Sequence, residues 1–155
     1  MIKAARIDHR LVHGQVAFSW SSFLGISRII VIDDSAANNE MQKMVLKMSK
    51  PTGIKLNIFT VEQVLSRMEK VEKLTDTIFL IFGCTKDASR FIQGYPKIES
   101  LNLGGIAKKD GSKQYSPVIY LTDEELADVK IIADLGVEIF MQQLPTTKKE
   151  AFKFD

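Results

Sequence analysis

The chain has one cysteine, Cys84, in 155 residues. That excludes an intrachain disulfide and fits a reducing compartment. Long hydrophobic runs are missing too. The longest apolar stretches, residues 29–32 and 78–82, fall far short of the roughly 18 residues that a membrane-spanning helix needs. The opening Met1-Ile2-Lys3-Ala4-Ala5-Arg6-Ile7-Asp8 has no uninterrupted apolar core of the signal-peptide kind, so a cytoplasmic protein is expected. Charge of one sign is also scarce: the formal net charge is +2. Lysines sit in mixed runs such as Lys70-Val71-Glu72-Lys73, with no basic stripe interleaved with aromatics, which argues against nucleic-acid binding. Neither G-x-x-x-x-G-K-[ST] nor G-x-G-x-x-G occurs, so the common nucleotide-binding loops are excluded.

What is present is an ordinary globular composition, 45% hydrophobic and 26% charged, at a length that suits a single domain, 1–155, with a real core. Strand and helix patterns alternate. Residues 2–7 read as a strand. Residues 14–24 carry Val16, Trp20, Phe23 and Leu24 at helical spacing and stop at Gly25. The β-branched run 28–32 reads as a strand buried on both faces. Residues 37–50 read as one helix, with Met41, Met44, Val45 and Met48 on its core face as filler. Strands are expected at 54–59, 77–83, 98–103, 117–121 and 137–141, the last of the chain. Helices are expected from the cap Thr60 to about residue 73, over 86–93, and from Thr122 to Leu135. Residues 108–113 read as a turn or exposed loop. The fold class that follows is α/β: a doubly wound, mostly parallel sheet of about seven strands with helices on both faces. Ligands of such sheets sit at the carboxyl ends of strands near a switch in strand order.

Among the loops at those ends, the first is the richest. Arg6-Ile7-Asp8-His9-Arg10-Leu11-Val12-His13-Gly14-Gln15-Val16 holds both histidines of the chain, two arginines and an aspartate between a strand and a helix start. A helix N-terminus offers free N–H groups and partial positive charge to an anion. Gly14 lets that backbone approach a ligand, and Arg10 can grip phosphate oxygens with a planar, permanently charged fork. A neutral imidazole there is a competent nucleophile toward phosphorus. Spacing alone leaves a cap for His13 and a solvated Arg10 equally open, while Asp8 either orients an imidazole or ends the strand. His9 is expected to point elsewhere.

This stretch, with Trp20 after it, resembles the signature (I/V)-D-x-R-L-(I/V)-H-G-Q-V of IIB components in the mannose/fructose/sorbose family of phosphoenolpyruvate-dependent sugar phosphotransferase systems. Asp33-Asp34, Pro51-x-Gly53, Asn102-x-Gly104-Gly105 and Val118-Ile119-Tyr120-Leu121-Thr122 agree along most of the chain. His9 stands where the family often has Asp, and Gln143-Leu144-Pro145 lacks the aspartate that often follows. The resemblance implies that His13 takes phosphate, on Nδ1, from a phosphohistidine of a IIA protein. It implies transfer to a sugar held by membrane IIC and IID components, which makes the chain a phosphohistidine-forming transferase, peripherally associated with the permease. No cofactor and no metal are implied; a homo-oligomer is left open. Gly14, Gln15, Asp8, Thr85, Asn102, Gly104 and Gly105 are the supporting or phosphate-binding candidates. Thr85 is alternatively a cap of the next helix, its favoured role; Gly104-Gly105 is alternatively a tight turn. Asp33-Asp34 is expected to cap the end of the second strand, and Trp20 to lie in the core.

Two rival readings stand beside the nucleotide-binding one, a histidine phosphatase or mutase and a regulatory module. A histidine phosphatase needs a second histidine far along the chain, which is absent. A regulatory or small-ligand-binding α/β module of the receiver kind needs an aspartate at the end of the third strand, where Asn57-Ile58-Phe59-Thr60 stands.

Overall fold

The structure, a computed structural model, describes residues 1–154; residue 155, the end of the expected domain, lies outside them. Strands β1 (Ile2–Asp8), β2 (Arg28–Ile32), β3 (Lys55–Phe59), β4 (Ile78–Phe82), β5 (Ser100–Gly105), β8 (Glu138–Met141) and β9 (Glu150–Ala151) form one sheet in the order β3-β2-β4-β1-β5-β8-β9. All pairings are parallel except β8 with β9. The doubly wound expectation therefore holds. Strands β6 (Lys113–Ser116) and β7 (Ile119–Leu121) make a separate antiparallel hairpin.

Helices α1 (Gly14–Leu24), α2 (Asp34–Ala37) and α3 (Glu40–Ser49) bury Ala17, Trp20, Ala36 and Leu46 against Ile29, Val31, Phe79 and Ile81 on one face. Helices α4 (Val61–Leu65), α5 (Met68–Glu72), α6 (Thr85–Gly94) and α7 (Asp123–Asp134) cover the other. There Val64, Val71, Phe91, Ile92, Val129 and Ile132 meet the alternate residues of β1, β2, β4, β5 and β8. Period-two alternation sorts each strand between the two cores.

Helix caps explain the segmentation. The αL residue Gly25 (φ 67°) ends α1 as expected. Asp33 caps α2, a short helix not expected from the sequence, and Asn39 caps α3, so the helix expected over 37–50 begins at Glu40. Leu46 is its buried residue, while Met41, Met44, Val45 and Met48 are exposed at 78%, 63%, 55% and 80%. They are not core filler, and the apolar stripe that spacing assigned to the core faces outward. The helix expected from Thr60 to about residue 73 is likewise two: the Thr60–Gln63 capping box opens α4, and the chain breaks at Ser66-Arg67 before α5. Two strands went unread, β6 and the two-residue β9, both too short for a visible alternation.

Connections leave β1 toward β2 and leave β5 toward β8, in opposite directions along the sheet. The crevice between the carboxyl ends of β1 and β5 is thus the switch point, and the loop after β1 opens onto it.

Asp34 braces this edge from the other side. Its carboxylate accepts the Val61 N–H at 2.8 Å and Arg90 Nη1 at 2.6 Å. Burial pushes its pKa up, but those bonds outweigh it and hold the group below its ordinary 3.8. A carboxyl lowered on folding adds stability above its unfolded value and loses it as pH falls through the folded one. Asp34→Asn should therefore narrow the gap in melting temperature between pH 6 and pH 3. An unchanged gap would show that the brace is inert.

Candidate functional site

The site begins with two charged residues on a buried strand. In β1, Ala5 and Ile7 enter the larger core, so Arg6 and Asp8 must point to the opposite face. Both are buried, at 2% and 1% exposure. Buried charges need partners, and they have them. Arg6 Nη2 donates to Asp8 Oδ2 at 3.1 Å, and Nη1 donates to the Gln142 carbonyl at 3.0 Å. The guanidinium carbon lies 5.4 Å from the centre of the Trp20 ring. Burial lowers the pKa of Arg6, and Asp8 opposes that shift.

Asp8 in turn holds the loop that follows. Oδ1 accepts the Arg10 N–H at 3.0 Å and Arg10 Nε at 3.3 Å, and Oδ2 accepts Arg10 Nη2 at 3.4 Å. The His9 N–H reaches the Gly105 carbonyl at 2.9 Å and the Leu11 N–H the Asp8 carbonyl at 2.9 Å. Leu11 takes φ 60°, the only positive φ at a non-glycine among the described residues. That geometry costs on the order of 1 kcal/mol, offset by sinking Leu11 and Val12 into the smaller core.

With Leu11 and Val12 turned inward, His13 is left outside. It is the N-cap residue of α1, exposed, and its imidazole makes no capping hydrogen bond. Gly14 (φ 36°) and Gln15, both exposed, start the helix. The first turn of α1 therefore presents free N–H groups to solvent. Arg10 is part-exposed and spends two of its three guanidinium nitrogens on Asp8. The expected grouping of Arg10, His13, Gly14 and Gln15 at the carboxyl end of β1 is thus present.

Other candidates have different roles. Thr85 is 2% exposed, and its hydroxyl donates to Asp128 Oδ2 at 2.8 Å. It does not cap α6, whose N-cap is Cys84. Asn102 lies opposite Arg6 on β5, 4% exposed, its Oδ1 without a partner among the described residues; it is not open pocket floor. A Cβ on Gly104 would overlap the Arg6 guanidinium, and one on Gly105 would stand 3.0 Å from Asp8 Oδ1. These glycines end β5 and make room for the buried ion pair, which neither pocket floor nor tight turn describes. Asp33 caps α2, accepting the Ala36 N–H at 2.8 Å, as expected. The sequence reading missed Arg6 itself. Its signal was a pair of opposite charges at i and i+2, alternating with the apolar Ala5 and Ile7.

The sequence reading placed the phosphoryl group on His13 alone. That reading is corrected by a second cluster, in which ligand atoms of Asp33, Cys84 and Asp87 lie within 4.8 Å of one another. A thiol, a second nucleophile type, stands at the end of β4, so the assignments as phosphohistidine, phosphohistidine intermediate and sole acceptor are withdrawn. The thiol's surroundings set its own chemistry. Burial, with Asp87 and Asp33 nearby, pushes Cys84 up to about 11. At pH 8 about one part in a thousand is then thiolate.

A family model described as PTS system sorbose subfamily IIB component matches residues 2–154. The chain belongs to that family. The Escherichia coli (strain K12) N-acetylgalactosamine-specific phosphotransferase enzyme IIB component 1 is 33% identical over 96% of this chain and 94% of its own length. A crystal structure of the N-acetylgalactosamine-specific IIB component 1 from that species superposes with TM-score 0.92, at 32% identity over 99% of this chain and all of that one. The mannose-specific EIIAB component of Escherichia coli (strain K12) is 30% identical over 96% of this chain, which spans 46% of that longer protein. No helix among the described residues is long and apolar enough to cross a membrane.

Cys84 alkylation by iodoacetamide should be slow at pH 8 and rise roughly tenfold per pH unit toward pH 11. A rate that levels off below pH 9 would show that burial and the two carboxylates do not hold the thiol protonated.

Proposed function

We propose that this IIB chain is a phosphotransferase that carries a phosphoryl group from a IIA protein toward a sugar delivered through membrane IIC and IID components. Membership of the IIB family supports the coarse role. The EIIAB relative, whose name joins A and B components in one chain, supports IIA as the donor. The observation that carries the site is the exposed first turn of α1, with Arg10 anchored beside it on Asp8.

Within that site we take Arg10 and His13 as the catalytic side chains. The N–H groups of Gly14 and Gln15 contact phosphate oxygens, and Asp8 supports from behind. Phosphoryl transfer needs in-line placement and neutralisation of charge on the equatorial oxygens. A helix N-terminus and a guanidinium held at one end supply both.

Incubation with phosphoenolpyruvate, the general phosphotransferase proteins and a matching IIA should add the mass of one phosphate to the wild-type chain. No mass gain with any IIA would overturn the proposal. His13→Ala and Cys84→Ser measured side by side identify the acceptor as the residue whose loss abolishes the gain. Arg10→Lys should keep the melting temperature and slow the gain by about tenfold or more, because a point charge does not reproduce the planar fork. Equal rates for Arg10→Lys and wild type would remove Arg10 from the catalytic set.

A further inference from the structure

We infer that Arg6 is a positioning residue for phosphoryl transfer: from inside the fold, it locks the loop after β1 and the loop after β8 into one arrangement. The inference rests on the proposed function and adds a residue that no ligand touches. Arg6 is 2% exposed, so it cannot meet phosphate or a partner. Its two terminal nitrogens are nevertheless spent on opposite walls of the switch-point crevice. Nη2 holds Asp8 at 3.1 Å, and Nη1 holds the Gln142 carbonyl at 3.0 Å.

On the first wall, Asp8 fixes both the backbone and the guanidinium of Arg10. The position of Arg10 relative to α1 is therefore set through Asp8 by Arg6. On the second wall, the neighbouring carbonyl, Gln143, accepts the Trp20 indole N–H at 2.9 Å, and Trp20 is the ring lying against Arg6. Gln142 Nε2 then donates to the Thr147 carbonyl at 2.9 Å, and the Leu144 N–H to Thr147 Oγ1 at 3.2 Å, which shapes the rest of that loop. One guanidinium thus spans 136 residues of sequence. Lysine has one nitrogen centre and cannot hold both walls at this spacing. Room for the fork exists because residue 104 is glycine.

The test is a double-mutant cycle on the rate of phosphate gain from phospho-IIA. Arg6→Lys should lower kcat about tenfold or more, with little change in KM for phospho-IIA. In an Arg10→Lys background it should cost less than about twofold further, since its effect passes through Arg10. Gly104→Ala, which displaces the guanidinium without changing any charge, should reproduce this pattern. Circular dichroism and melting temperature confirm folding of each variant. Independent, multiplicative effects of Arg6→Lys and Arg10→Lys would overturn the role. So would failure of both Arg6→Lys and Gly104→Ala to fold, which would make Arg6 a residue of stability alone. Wild-type protein that takes no phosphate would instead defeat the proposed function, so the two failures are distinguishable.

Discussion

The buried pair of Arg6 and Asp8 is the constraint around which the functional edge is arranged. Removing two charges from water costs several kcal/mol each, and attraction between them seldom repays that in full. Here the deficit is met by saturating the groups. Asp8 receives the Arg6 guanidinium, the Arg10 guanidinium and the Arg10 N–H, while Arg6 adds a carbonyl and an aromatic face. Such a pair weakens a fold badly if one member is lost, since the other is then left charged and alone. A strand that only needed to pack would carry apolar residues at positions 6 and 8, as it does at 5 and 7.

That cost has local consequences legible in the backbone. Gly104 and Gly105 give up side chains to make space. The register between β1 and β5 shifts between Ile7 and Asp8, so the strand end is not a regular ladder. Leu11 accepts a left-handed conformation to turn its side chain and that of Val12 inward. Each concession faces the same few ångströms of loop, and their joint effect is to leave His13 outside at the start of α1. The strained Leu11 backbone lies on this loop and nowhere else among the non-glycine described residues, and such strain persists only where its surroundings over-determine it.

How much of this the sequence disclosed depends on the range of each interaction. The alternation of strands and helices is local, and so are the Gly25 and Thr60 caps; all were readable. The stretch from Arg6 to Val16 was readable because its parts are contiguous. Thr85 was misread because its partner, Asp128, lies 43 residues away. Gly104 was taken as turn or pocket because the guanidinium it admits belongs to residue 6. The tail Gln142-Gln143 had no visible role because its carbonyls, rather than its side chains, meet Arg6 and Trp20. The methionines of α3 failed for another reason. Periodicity finds a stripe but does not say which side of the helix faces the sheet; the Asn39 cap and Leu46 decide that.

The carboxyl edge of the sheet finally divides by charge. At the β1–β5 crevice stand Arg6, Asp8 and Arg10, a formal excess of one positive charge, with the partial positive end of α1 added to it. Around the end of β4 stand Asp33, Asp34 and Asp87 with Arg90 and Lys86, a formal excess of one negative charge. The second group is already satisfied internally. Asp33 holds the Ala36 N–H, Asp87 the Asp34 N–H, and Arg90 bridges Asp34 and Asp87. Burial first, with the charge of Asp87 and Asp33 added to it, keeps the Cys84 thiol protonated. A phosphoryl group arrives with negative charge that must be neutralised during transfer. Approach to the β4 end works against two carboxylates, and approach to the β1 end works with a guanidinium and a helix dipole. The division assigns the acidic cluster to holding α2, α4 and α6 at the sheet edge, and it gathers the positive charge of that edge on the side that Arg6 organises.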